Sequence, residues 1–304
     1  AHFRRDQEIA NAWVRENYPD VLLVGPSSTD STVIEMGPGA KGGAGIGDAM
    51  PDAVTTHDLM CEYKVPMDVF TYHYYNGISE RLESVMPAGH WQASQAHTDD
   101  YLAMAGLCAR SYAPIRDQYI PGAQMWVTES GDAGGGGNTW GSTYMDVFRT
   151  LNELGEFATV TDGVIFHNTL ASSDYGFLKH GTFEPRPNYF AVKLWNDLMG
   201  TTVYNSGIAI QEGAHVFCHS RKDGKDGCVY LVINNSWTET TTVELPKAAQ
   251  VYALTGTTSM RSRTMSLNGK ELVLGENDKL PELTGVTMED TVDIAPGSCA
   301  FIVL

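Results

Sequence analysis

Glu129 is the residue of this sequence best placed to do chemistry. It follows the run Gln124-Met125-Trp126-Val127-Thr128, which reads as a buried strand. Directly after it come Ser130-Gly131-Asp132-Ala133 and four glycines, Gly134-Gly135-Gly136-Gly137. A strand would hold the carboxylate rigidly at the mouth of a sheet. The glycines would let backbone N–H groups approach a ligand closely enough to form an anion-binding nest. Such a carboxylate can serve as a nucleophile or as a general acid or base. An isolated Glu-Ser-Gly also has a plainer reading, an ordinary loop in which Glu129 caps the next helix. Taken alone, the segment favours that one.

Two further groups sit where loops should leave strands. His73-Tyr74-Tyr75-Asn76 ends the strand-like run 69–75. Aromatic walls with imidazole and hydroxyl hydrogen bonds suit a sugar, and such residues equally suit packing at a sheet rim. Tyr75 or His73 beside Glu129 would orient its carboxylate. Asp174-Tyr175-Gly176 follows a fourth apolar run; by itself Tyr175 reads as a packed loop residue.

The elements that must position these groups follow from hydrophobic periodicity. Residues 6–17 read as a helix with Ile9, Ala10, Ala12, Trp13 and Val14 on one side. The run 21–24, stopped by Gly25-Pro26, reads as a buried parallel strand, and the Gly-rich stretch 27–52 as a long loop. Strands are expected at 69–75, 124–128 and 164–166. Thr98 is placed to cap a helix over 98–119, and Ser142 the helix carrying Met145, Phe148, Leu151 and Leu154. Pro187 opens the last helix, 188–199, and Gly200 is expected to close it. Strand–helix alternation implies a parallel sheet flanked by helices, with chemistry at the C-terminal ends of its strands, where His73, Tyr74, Tyr75, Glu129, His167 and Asn168 fall.

After residue 200 the pattern changes. Short strand-length runs at 214–218, 228–233, 241–245, 250–254, 271–274 and 299–304 are separated by turn clusters, and Leu267-Asn268-Gly269-Lys270 reads as a hairpin turn. The expected division is therefore an α/β domain over 1–200 and an antiparallel β-sandwich over 201–304.

Composition narrows the classes. The 304 residues carry 20 Lys+Arg against 37 Asp+Glu, a net charge of −17. That balance argues against a nucleic-acid partner and against a cleft for heavily sulfated polyanions. No run reaches the roughly 18 apolar residues of a membrane span. The five cysteines include no Cys-x-x-Cys pair, so a structural zinc is not expected. Cys218 and Cys228 flank a turn, and either a cross-hairpin disulfide or adjacent thiols would fit. Asn234-Asn235-Ser236 is a single glycosylation sequon.

In order, Thr71-Tyr-His-Tyr-Tyr-Asn-Gly77, Trp126-Val-Thr-Glu-Ser130 with its glycines, Asp174-Tyr-Gly176, and Phe183-Glu-Pro-Arg-Pro-Asn-Tyr-Phe190 with Leu198-Met-Gly-Thr-Thr-Val203 form a set. The tail adds Leu267-Asn-Gly-Lys-Glu-Leu272, Leu280-Pro-Glu-Leu283 and Ala300-Phe-Ile-Val303. Together they resemble glycoside hydrolase family 79, the heparanase and β-glucuronidase family, along essentially the whole chain. The resemblance implies a (β/α)8 TIM barrel, of which this chain would be the second half, followed by a β-sandwich. It implies retaining hydrolysis of β-linked glucuronic acid in a glycan or glucuronide, without metal or cofactor. Glu129 would be the nucleophile, with His73 and Tyr75 beside it. Gly135, Gly136 and Tyr175 would bind the glucuronate carboxylate. A secreted or extracytoplasmic location is expected from this substrate class.

Two departures stand out. Gly134 occupies the position where the family carries a Tyr, which bears on fine specificity. The family's acid/base glutamate lies in an Asn-Glu pair that would precede the helix over 6–17. Retaining hydrolysis needs two carboxyl groups about 5–5.5 Å apart. Glu80, Glu83, Asp132 and Asp174 offer no convincing second one. An N-terminal portion of the same protein is thus expected to complete the barrel and supply the acid/base, and without it the open sheet edges would expose apolar surface. Two other readings remain: a related retaining glycosidase of the xylosidase or arabinofuranosidase type, and a non-catalytic carbohydrate-binding remnant.

Overall fold

The structure, a computed structural model, describes residues 2–29, 54–61, 64, 66–85, 89–161 and 163–304. The chain forms two compact units that interleave in sequence. The first comprises 1–91, 103–135 and 156–168; the second comprises 92–102, 136–155 and 169–304.

The first unit is a partial barrel of four parallel strands lying side by side in sequence order: β1 (Val24–Ser28), β2 (Val69–Tyr75), β3 (Gln124–Gly131) and β4 (Ile165–His167). The strand expected at 21–24 instead spans Val24–Ser28, so Gly25-Pro26 lies inside it rather than ending it. Among the described residues β1 is an edge strand, where a residue without an N–H is tolerated. Its position also explains why Val21, Leu22 and Val24 are exposed rather than buried. Most of the loop expected at 27–52 lies outside the described residues.

One face of the sheet is apolar. Phe70 and Tyr72 pack on Tyr112 of α4 (Met104–Tyr119), with the Tyr72 and Tyr112 rings stacked at 4.5 Å. Phe157, near the end of α5 (Tyr144–Val160), meets Tyr72 and Tyr74 edge-on. The helix expected over 98–119 is broken at Ala103 into α3 (Asp99–Leu102) and α4. α1 (His2–Asn17) and the short α2 (Thr56–Met60) complete the helices of the first unit among the described residues. Ile9 and Trp13 of α1 are exposed.

The second unit is dominated by an antiparallel sheet. Its strands β5 (Met199–Tyr204), β6 (His215–Arg221), β7 (Cys228–Asn234), β8 (Thr241–Glu244), β9 (Ala249–Gly256), β10 (Met265–Leu267), β11 (Lys270–Glu271), β12 (Val286–Met288), β13 (Thr291–Ile294) and β14 (Ser298–Val303) follow α6 (Pro187–Leu198). The main sheet runs β11-β10-β9-β14-β7-β6-β5, with β12 also on β9, and β8 pairs separately with β13. Alternate residues of these strands, among them Val216, Val232, Val251, Val292, Ile294 and Ile302, fill the core between the layers.

The hairpin turn is as the sequence reads: Leu267 pairs with Lys270, and Asn268 and Gly269 both take positive φ, as a two-residue primed turn requires. Gly200 differs from expectation. The helix ends at Leu198, and Gly200 lies in β5, where an added Cβ would stand 2.4 Å from the Ser220 Oγ. It permits close strand approach rather than ending a helix.

Cys218 and Cys228 are thiols on neighbouring strands, and burial followed by the adjacent Cys228 pushes Cys218 up to about 11. The sequon asparagine Asn234 is fully buried and donates to the carbonyls of Glu239 and Ile294 at 2.8 and 2.9 Å. It pins a turn and is closed to glycosylation. No described helix is long and apolar enough to cross a membrane.

His97 gives the second unit a pH-dependent term. Its ring lies between Phe148 at 4.1 Å and Trp237 at 4.7 Å, and its Nδ1 is buried without a partner among the described residues. Burial depresses its pKa to about 4, against the opposing pull of the Met145 carbonyl. The unfolded chain takes up this proton near pH 6.5 and the folded one only near 4. Stability present above pH 6.5 is therefore lost as the pH falls towards 4, by up to about 3 kcal/mol. His97→Phe removes the group, so the urea midpoints of variant and parent should diverge in the variant's favour between pH 7 and 4. Parallel curves would refute this role.

Candidate active site

The geometry at Glu129 begins with strand register. Tyr72 pairs with Val127, but His73 pairs with Glu129 rather than Thr128. On the other side, Val127 pairs with Ile165 and Ser130 with His167, again leaving one extra residue on β3. β3 therefore bulges at Thr128-Glu129. Strict alternation from Val127, which shares the helix-packed face with Tyr72, would turn Glu129 onto that same face. The bulge reverses the parity, and Glu129 emerges on the face of Thr71, His73 and Tyr75. Thr128 is on this face too, with its hydroxyl 3.2 Å from the Ser27 Oγ, which in turn is 2.8 Å from the Thr71 Oγ1.

Three side chains then hold the carboxylate. The Tyr75 hydroxyl donates to Oε1. The Asn168 amide donates to the same oxygen and to the Tyr75 hydroxyl, each at 2.8 Å. His73 Nδ1 lies 3.2 Å from Oε2. Asn168 is itself fixed by its backbone N–H on the Ser130 carbonyl at 2.8 Å, just beyond β4. Glu129 is 35% exposed and His73 25%, so the site is reachable but partly desolvated. Burial lowers the His73 pKa, with the Glu129 charge opposing, so the imidazole is neutral at pH 7 and serves as a hydrogen-bonding group. The arrangement presents one carboxylate oxygen anchored by Tyr75 and Asn168 and a second beside a neutral ring, as attack on an electrophilic carbon requires.

The glycine segment is pinned next to this group. Gly134 donates to the Gly77 carbonyl and accepts from the Ser79 N–H, both at 2.8 Å. Gly135 has φ +89°, a conformation that favours glycine, and a Cβ there would stand 2.5 Å from a Leu82 methyl, which would have to shift. An added Cβ on Gly134 would make only ordinary contact with the Tyr75 ring at 3.7 Å. A Cβ at this position is therefore sterically tolerated.

Gly136 and Tyr175 belong to the second unit, where the Gly136 carbonyl accepts from the Asp174 N–H at 3.1 Å and the Tyr175 carbonyl from the Ser142 hydroxyl at 2.9 Å. Of the sequence candidates, His73, Tyr75 and Glu129 are thus in one cluster, with Gly135 nearby in chain and unit. Asn168 joins them. Its strand-end position was visible in sequence, but its contact with Glu129 depends on pairing between β3 and β4. No three described His, Cys, Asp or Glu side chains converge as a metal site.

Comparison with known proteins gives a consistent picture. No protein-family model matches the chain. The chain is 29% identical over 189 residues to a baicalin-β-D-glucuronidase of Scutellaria baicalensis, covering 59% of this chain and 36% of that protein. It is 28% identical over 282 residues to heparanase-like protein 1 of Arabidopsis thaliana, covering 78% of this chain and 50% of that one. The chain thus spans half or less of these relatives. Among solved structures, a GH51 arabinofuranosidase from Xanthomonas axonopodis pv. citri superposes on 100% of this chain and 62% of its own, with TM-score 0.61 at 13% identity. A 4-O-α-L-rhamnosyl-β-D-glucuronidase from Fusarium oxysporum covers 99% and 64%, with TM-score 0.60 at 12% identity. The fold is that seen in these glycosidases, and the sequence is similar to the heparanase-like proteins.

Proposed function

We propose that this chain carries the nucleophile half of a retaining β-glucuronidase. The observation that supports it most is the bulge-placed Glu129 with Oε1 anchored by Tyr75 and Asn168. One carboxylate oxygen attacks the anomeric carbon, forming a C–O bond as the bond to the leaving oxygen breaks. That oxygen takes a proton from an acid, and the same group, now a base, activates the water that releases the sugar. The acid/base is a glutamate from an N-terminal portion of the protein. The same portion would cover the edge strands, where Leu22, Val24, Val164 and Phe166 stand exposed.

The glucuronate carboxylate is taken by N–H groups of Gly135 and Gly136 and by Tyr175. Backbone donors bring partial positive charge without adding a cation, which suits a chain of net charge −17. A glucuronidase among the sequence relatives supports this reading.

A 2-deoxy-2-fluoroglucuronosyl fluoride tests the assignment directly, because fluoride leaves without protonation and the fluorine slows release of the covalent intermediate. With the N-terminal portion present, the adduct should map to Glu129 by peptide mass spectrometry. The xylose- and arabinose-configured analogues should label more slowly. Faster labelling by either would move the substrate to the xylosidase or arabinofuranosidase type. Absence of any adduct would leave a carbohydrate-binding role.

A further inference from the structure

A cavity of about 590 Å³ lies in the second unit, between the segment entering α6 and the β10–β11 region. Its charged lining is unusual for so acidic a chain. Lys179, Arg186 and Arg263 face it with Glu184 and Asp278, so three cations against two carboxylates leave one net positive charge. Lys179 is paired with Glu184 at 3.2 Å. Neither arginine has a carboxylate within 4 Å among the described residues.

Backbone carbonyls hold both guanidinium groups instead. Arg186 uses Nη1, donating to the Asp174 carbonyl at 2.6 Å and to Gly176 at 3.3 Å. Arg263 donates to the Gly141 and Thr139 carbonyls at 3.3 and 3.1 Å. A guanidinium has five N–H donors, so each keeps donors that no described protein group satisfies. Burial, and then the Arg263 charge, lower the Arg186 pKa. Two fixed like charges sharing a cavity are the arrangement an anion relieves.

The cavity's size and walls select the anion. It is far larger than an inorganic oxyanion needs, and Phe190, Leu272 and Leu274 form an apolar side. A monoanion would balance the single net charge. A guanidinium fork matches a carboxylate through paired hydrogen bonds. A pyranose bearing one carboxylate has the charge, the hydroxyls and the C–H surface to fit.

We infer that the Arg186–Arg263 cavity of the second unit is a saccharide site in its own right, taking the carboxylate of a uronic acid. The choice of a uronic acid among carboxylates rests on the glucuronide reading above.

Phenylglyoxal labelling of arginine, read peptide by peptide, tests this on the full protein. For a Kd on the order of 1 mM, glucuronate at about fivefold excess should slow labelling of Arg186 and Arg263 roughly sixfold. Glucose, acetate and inorganic phosphate at equal concentration should not. A glucuronate-terminated oligosaccharide run in parallel shows whether the occupant is a free acid or a glycan end, and protection by either supports the site. Arg263→Gln should abolish glucuronate protection of Arg186. Equal protection by phosphate or acetate, equal protection by glucose, or no protection of the two arginines would each overturn the proposal. Since the readout is confined to Arg186 and Arg263, covalent labelling of Glu129 can succeed or fail independently.

Discussion

Glu129→Gln should lower kcat for an aryl glucuronide by about 10⁴-fold or more in protein carrying its N-terminal portion, by analogy with loss of other covalent nucleophiles. The amide is nearly isosteric with the carboxylate, and its carbonyl oxygen can still accept from Tyr75 and Asn168, both of which bond Oε1. The scaffold and sugar pocket therefore persist, and KM should change little. What disappears is the anionic oxygen that forms the bond to carbon, a loss of about 5.5 kcal/mol of transition-state stabilisation at 10⁴-fold. Steady-state kinetics with an unfolding curve as a folding control would measure this. Glu129→Ala adds a stereochemical test. Azide entering the vacated space attacks from the nucleophile's side, so the product should be the α-glucuronosyl azide. A β-azide would assign Glu129 to the acid/base role, and a fall of only tenfold in kcat would remove it from the chemistry.

The reason this residue was legible while its surroundings were not lies in what each depends on. β2 and β3 read from sequence because apolar runs flanked by breakers carry their own signal, and Glu129 falls at the end of one of them. The Asn268-Gly269 turn likewise encodes its own backbone conformation. The bulge at Thr128-Glu129 has no local signature. It appears only in the pairing with β2 and β4, and it alone determines which face Glu129 occupies. Asn168 reaches Glu129 through the same long-range register. β5 was hidden for a different reason: Met199-Gly200-Thr201-Thr202-Val203-Tyr204 follows a helix directly, and a glycine there reads as a stop signal until Ser220 is seen pressed against it. The edge position of β1 is a property of the assembled sheet, so a short apolar run before Gly25-Pro26 reads as buried when only its Leu23 is.

The largest stability effect is expected at Arg149, on α5. Its side chain is 2% exposed, and it bonds Asp146 through Nε at 2.6 Å, Thr150 through Nη2 at 2.8 Å, and Glu153 through Nη1. Burial alone would lower its pKa, but the Asp146 and Glu153 charges outweigh that and hold it well above the ordinary value. Asp146 is further tied to the Asn188 amide at 2.8 Å and the Ser142 N–H at 2.9 Å, so the group links α5 to α6 and to the turn before α5. Arg149→Met keeps much of the volume but takes the guanidinium charge away from two buried carboxylates. Removing one partner of a buried ion pair costs about 3–5 kcal/mol. Asp146 retains its two neutral donors, whereas Glu153 loses the Arg149 guanidinium. Adding Glu153→Leu to Arg149→Met should therefore recover part of the loss, although it removes still more polar contacts. Urea unfolding of the single and double variants would measure both steps. A single-variant loss below about 1 kcal/mol, in the range of an exposed pair, would show that water reaches the cluster. A double variant less stable than the single would show that Glu153 is satisfied without Arg149.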